Sequence, residues 1–111
     1  FLPEKRMSVQ VQVQVSYATD PDGVERILLE EARAALPEIP GLLAEPAPSV
    51  MFDPGFGDSG LGFTLNCHVR EFVDQYAVRH ALRKRILLRF RAEGVEMPFP
   101  TRTVHLRNKS S

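Results

Sequence analysis

Residues 7–17 alternate without a break between Met, Val or Tyr on one parity and Ser or Gln on the other, and this stretch limits the fold more than any other. In an extended chain Val9, Val11, Val13, Val15 and Tyr17 share one side, and Ser8, Gln10, Gln12, Gln14 and Ser16 share the other. The β-branched valines suit a pleated, half-buried surface. Burying each of them is worth about 1.5–3 kcal/mol, so the valine side demands an apolar layer above it. A strand buried on one side belongs to an antiparallel sheet with one open face. The uncharged glutamine side reads either as a solvated face or as a surface that meets a neighbouring subunit.

Two helical patterns supply the layer. Asp20-Pro21 is a helix start, an N-cap carboxylate followed by proline at the first helical position. Val24, Ile27, Leu28, Ala32, Ala35 and Leu36 then recur at helical spacing until Pro37, with Glu25, Glu30, Glu31 and Arg33 mostly off the stripe. The second pattern runs from Asp74, read as its N-cap, to Glu93, with Gly94 as a left-handed cap. Val78, Ala81, Leu82, Ile86 and Phe90 form its stripe, and Tyr76, Leu87 and Leu88 are expected to widen it. Between the helices, residues 37–48 read as a proline-rich loop pinned by Leu42 and Leu43. Ser49–Phe52 reads as a short strand, residues 53–60 as a turn, and Leu61–Val69 as a strand whose Leu61, Phe63, Leu65, Cys67 and Val69 face the core. Val95–Met97 is expected to add a last short strand. The order β-α-β-β-α-β, with both helices on one face of a mainly antiparallel sheet, is a ferredoxin-like α+β sandwich.

The chain then does something the sandwich does not need. Pro98 and Pro100 bracket Phe99; both fix φ and lack amide donors, so the segment leaves the domain extended and stiff. From Thr101 the residues alternate again, Arg102, Val104 and Leu106 against Thr101, Thr103, His105 and Arg107. A lone strand is marginal in water, so this one needs a partner. The expected layout is a lead-in at 1–6, the sandwich at 7–97, the exit and extra strand at 98–108, and a tail at 109–111.

Composition narrows the function classes. The 111 residues suffice for one core, and 43% apolar with 25% charged is the balance of a soluble globular domain. Lys+Arg and Asp+Glu both number 14, a zero balance that argues against a bulk nucleic-acid binder. A single cysteine, Cys67, permits no internal disulfide and suits a reducing compartment. No signal peptide or bilayer-length apolar run is present in these residues, and Phe1 in first place reads as a piece of a longer chain. Asp53 and Asp58 flank a glycine turn but have no nucleophile or metal motif beside them, and read as turn residues. Gly55-Phe56-Gly57 joins strand to strand, so no helix N-terminus stands ready for a phosphate. Cys67 and His68 are neighbours on a strand and point to opposite faces, so they cannot chelate one ion. No catalytic, cofactor or metal residues are expected. The second helix carries Arg79, Arg83, Lys84, Arg85, Arg89 and Arg91, which reads either as a solvated basic face or, in a soluble ferredoxin-like module, as a site for RNA or a small ligand. The sheet face offers Gly62, Thr64, Asn66 and His68 where an RNA-recognition motif sets stacking aromatics, so no nucleic acid is expected.

Three stretches carry a family resemblance. Phe56-Gly57-Asp58-Ser59-Gly60-Leu61 with its following strand resembles the turn-and-strand signature of the C-terminal cytoplasmic domain of small-conductance mechanosensitive channels, the MscS family. Residues 94–106, Gly-Val-Glu-Met-Pro-Phe-Pro-Thr-Arg-Thr-Val-His-Leu, look like that family's terminal motif, and Val15-Ser16-Tyr17-Ala18-Thr19-Asp20 is similar to its passage from strand to helix. Gly60 stands where the family often has a second serine, and Thr101 where it often has glutamine. The resemblance implies a non-enzymatic vestibule and assembly domain of an inner-membrane channel that answers osmotic stress. The parent would be a homo-oligomer, typically sevenfold, with this domain on the cytoplasmic side as the lower vestibule wall, supporting assembly and filtering solutes. Pro98, Phe99, Pro100, Thr101, Arg102, Thr103, Val104, His105 and Leu106 would form the interface, joining copies around the axis as a small β-barrel.

Overall fold

A computed structural model describes residues 7–98. Strand β1 (Met7–Val15) is followed by helix α1 (Pro21–Ala35), the two-residue β2 (Leu42–Leu43), β3 (Ser49–Phe56), β4 (Leu61–Val69) and helix α2 (Asp74–Glu93). All pairings are antiparallel and all of them run through β4. One edge of β4 carries β1 from Met7↔Val69 to Val15↔Leu61; the other carries β3 and, beyond it, β2. The sheet is open and antiparallel with two helices, the ferredoxin-like α+β arrangement expected. α2 lies chiefly over β1, and α1 over β3 and β4.

The core is the one the alternation called for. Val9, Val11 and Val15 from β1 and Phe63, Leu65, Cys67 and Val69 from β4 are fully shielded from solvent by Val24, Leu28 and Ala32 of α1 and Val78, Leu82 and Phe90 of α2. Asp20 caps α1, its Oδ1 accepting from the Asp22 amide at 3.3 Å with Pro21 next in line. Gly94 closes α2 at φ 75°, a left-handed conformation that costs a side-chain-bearing residue roughly 1 kcal/mol or more.

Several expectations are corrected. Asp74 is the first residue of α2, not its cap; its Oδ2 accepts from the Glu71 amide at 3.1 Å across the preceding turn. Tyr17, Tyr76 and Leu88 are exposed rather than core. Tyr17 is drawn outward because its hydroxyl donates to the Gly57 carbonyl of the hairpin. Leu42 and Leu43 do more than pin a loop, since they pair with Val69 and His68. β3 runs four residues past Phe52: the register slips between Met51 and Gly55, so Asp53-Pro54 bulges over the sheet and Gly55, at φ 79°, returns the chain to pairing opposite Gly62. That bulge buries Gly62 and Thr64 on the face expected to be open, and the Thr64 hydroxyl donates to the Asp53 carbonyl at 2.7 Å. The strand expected at Val95–Met97 is reduced to one bond, Ser16 N–H to Glu96 O at 2.8 Å, because Pro98 has no N–H to continue a ladder.

Candidate functional site

The chain arrives and leaves at opposite ends of the sheet. Met7 sits opposite Val69, and Pro98 packs at the other end, where a Cβ on Gly60 would lie 3.1 Å from its Cγ. Around Pro98 the surface is hollowed. Ser16, Tyr17, Ser59, Glu96 and Met97 enclose about 350 Å³ on one side of it. Leu87, Phe90, Arg91 and Val95 enclose about 460 Å³ on the other. Exposed Tyr17, Phe56 and Met97 stand at this same end. Of the residues expected to form the interface, Pro98 is placed here; Phe99, Pro100, Thr101, Arg102, Thr103, Val104, His105 and Leu106 lie outside the described residues.

The basic face of α2 is less basic than its composition. Arg89 is held by three carboxylates, Glu30 at 2.7 Å, Glu31 at 3.0 Å and Glu93 at 2.9 Å. Arg85 meets Glu31 at 3.2 Å and also Glu38. The two arginines therefore clamp α2 to α1 instead of presenting charge to a ligand. This clamp was hidden in the sequence, since Arg85 and Arg89 lie 54 and 58 residues from Glu31. Arg79 turns the other way, toward the outer edge of β1, and donates to the Gln10 carbonyl at 3.4 Å.

The clamp sets an acid limit on stability. The hydrogen bond from Arg89 holds the Glu30 carboxyl below its ordinary value of 4.5; burial opposes it, and the charges of Arg89 and Arg26 add to the lowering. A carboxyl depressed in the folded state contributes stability that is complete above the unfolded pKa and lost as pH falls through the folded one. The melting temperature of the native chain is expected to fall on acidification below about pH 4.5, and that of Arg89→Ala to fall less over the same range. Thermal melts from about pH 6 down to about pH 3 test this; parallel acid slopes in the two proteins would remove the clamp from the account.

Other candidate groups do not converge. Cys67 is fully buried, and burial pushes its thiol up to about 11. Asp53 and Asp58 are exposed in and beside the hairpin. His68 faces away from Cys67, with its Nδ1 and the Asn66 Oδ1 shut from solvent and without hydrogen-bond partners among the described residues. Among the described residues no group of three His, Cys, Asp or Glu could hold a metal ion. No helix among them is long and apolar enough to cross a membrane.

A family model described as "Mechanosensitive ion channel MscS, C-terminal" matches residues 9–97, from the third residue of β1 to the proline exit. A comparison with curated proteins found no match.

Proposed function

Since the chain belongs to the family of MscS C-terminal domains, a family of channel domains, we propose that it serves its parent as a vestibule wall and assembly element. The match over residues 9–97 carries this reading. The fold adds support: Pro98 leaves one end of the sheet beside exposed Tyr17, Phe56 and Met97, and the sequence from Thr101 to Arg107 alternates as a strand would. Copies of Pro98–Leu106 would close around a symmetry axis as a parallel barrel, typically sevenfold, so that no strand edge is left open. Gaps between subunits would filter solutes, and membrane tension would be sensed elsewhere in the parent, on the cytoplasmic side of whose membrane this domain would lie.

Ending the parent chain before Pro98 is expected to lower the assembled fraction about tenfold at matched concentration, because linked contacts are lost together. The domain itself keeps its fold, since β1, β4 and both helices precede the cut. Detergent-solubilised mass measurement alongside circular dichroism reads both quantities. A truncated parent that assembles as well as the intact one would sink the barrel role.

A further inference from the structure

Among the described residues Phe56 is the most exposed large apolar side chain, at 80%, yet it is not loose. It ends β3 opposite Leu61, a core residue, so its ring lies on the helix side of the sheet. Phe52 meets it edge-on, with ring centres 5.5 Å apart. The turn that follows is closed by the Gly57 N–H donating to the Gly60 carbonyl at 2.8 Å. The Tyr17 hydroxyl donates to the Gly57 carbonyl and braces the turn from β1. A rigid aromatic held into solvent has the character of a binding anchor, because little side-chain freedom is lost when it is covered.

A hollow that fits such an anchor lies at the same end of the domain but on the opposite edge. It is the one of about 460 Å³ enclosed by Leu87, Phe90, Arg91, Val95 and Met97. Pockets of about 300–1,000 Å³ hold drug-sized molecules, so one aromatic ring has room. Its floor is apolar: Phe90 is fully buried, and Leu87 and Val95 are half-buried. Leu87 and Arg91 follow the clamp residues Arg85 and Arg89 by two positions, about 200° round the helix, and so stand on the flank turned away from α1. α2 lies chiefly over β1, and Glu96 bonds to Ser16 just past that strand, which makes this flank the β1 edge. Phe56 stands across β4 from it, on the β3 edge.

The charges beside the two features are opposite. Arg91 stands exposed at the hollow and, unlike Arg85 and Arg89, has no carboxylate within ion-pair reach among the described residues. Asp58, two residues past Phe56 in the hairpin turn, is exposed and likewise without a cation among them. Glu96 also lines the hollow, so an entering carboxylate is confined to the Arg91 side.

We propose that Phe56 of one copy of this chain seats in the hollow between Leu87 and Met97 of the next copy, with Asp58 of the first facing Arg91 of the second. Because anchor and hollow occupy opposite edges, each copy gives its anchor to one neighbour and receives that of another. Such a contact is heterologous and closes as a ring, where a twofold pair would need the same edge on both partners. The proposal rests on the assembly role argued above and deepens it by naming a contact among residues outside 98–106. One aromatic buries about 150–250 Å², well short of the roughly 1,000 Å² of a stable interface, so the contact holds only where other links keep the copies together.

The test is made on the parent chain, solubilised in detergent. Asp58→Cys with Arg91→Cys leaves Phe56 and the floor of the hollow intact and sets one thiol beside each. On mild oxidation the pair is expected to link neighbouring copies into a ladder that runs past the dimer, and either cysteine alone is expected to give none. Cys67, buried with its thiol raised to about 11, stays out of the reaction. Adding Phe56→Ala is expected to slow the ladder about tenfold, and adding Phe99→Ala to leave it unchanged. A ladder that stops at the dimer would overturn the proposal in favour of a twofold contact. Sensitivity to Phe99→Ala but not to Phe56→Ala would overturn it by giving the hollow to the chain's own next residue. Charge exchange supplies an independent reading. Asp58→Arg and Arg91→Asp are each expected to lower the assembled fraction about threefold, and the two together to restore it; a double variant no better than the singles would sink the pairing. A parent that does not assemble at all removes the function proposed above and this contact with it, whereas a parent that assembles without the ladder removes the contact alone.

Discussion

Phe63→Ala is expected to lower the melting temperature by about 15–25 °C, the largest effect of any single truncation in the domain. Phe63 sits at zero exposure on β4, the strand through which every pairing of the sheet passes. It lies opposite Val13, and its ring centre is 5.0 Å from that of Phe52. Truncating a buried phenylalanine costs about 3–5 kcal/mol in lost transfer energy and cavity, against a total stability for domains of this kind of about 5–15 kcal/mol. Phe56 serves as the internal control. It is an aromatic on the same sheet but 80% exposed, and its replacement by alanine is expected to change stability by less than about 0.5 kcal/mol. Thermal melts of the two variants decide the matter; shifts of similar size would mean that the core is not centred on β4.

The second large effect is expected at Gly60, where the related channels often carry serine. A Cβ built there would lie 2.2 Å from the Val15 carbonyl oxygen and 3.1 Å from Pro98. The first of these neighbours is backbone, held in the last pairing of β1 with β4, and cannot swing aside as a side chain would. Gly60→Ser is expected to cost about 2–3 kcal/mol by prying open that end of the ladder. Gly94→Ala makes an instructive comparison: nothing lies within 4 Å of its added Cβ, and only the left-handed φ of 75° opposes it, for about 1 kcal/mol. Denaturant melts should rank Gly60→Ser below Gly94→Ala. The reverse order would show that the hairpin yields easily, and that the serine of the relatives needs no change elsewhere to fit.

The elements that were legible in the chain are those whose signals are local. Strict valine–glutamine alternation marked β1, and a cap carboxylate followed by proline marked the start of α1. The left-handed Gly94 marked the end of α2. Where local and distant requirements part, the reading failed. Asp53-Pro54-Gly55 has the chemistry of a turn, but its neighbours pair with β4 on both sides of it, so it becomes a bulge that covers Thr64. Tyr17 continues the apolar parity of β1, yet its hydroxyl finds the Gly57 carbonyl 40 residues away and the ring goes outward. Val95–Met97 has strand composition, but one proline later the donor it needs is missing. Arg85 and Arg89 look like an exposed basic stripe until α1 is folded beside them with Glu30 and Glu31. Of the expected interface only Pro98 is among the described residues.

The placement of Met7 and Pro98 at opposite ends of β1 also determines how the domain answers a pull. Force applied through Met7 acts at one end of β1, while force applied through Pro98 acts at the other, beside Gly60. The load therefore runs along β1, at right angles to its bonds with β4, as antiparallel ladder bonds lie across the strand direction. All nine pairs from Met7↔Val69 to Val15↔Leu61 are sheared together instead of being unzipped one at a time. A domain loaded this way is mechanically stiff between its ends, and it would pass a displacement of one end to the other with little loss.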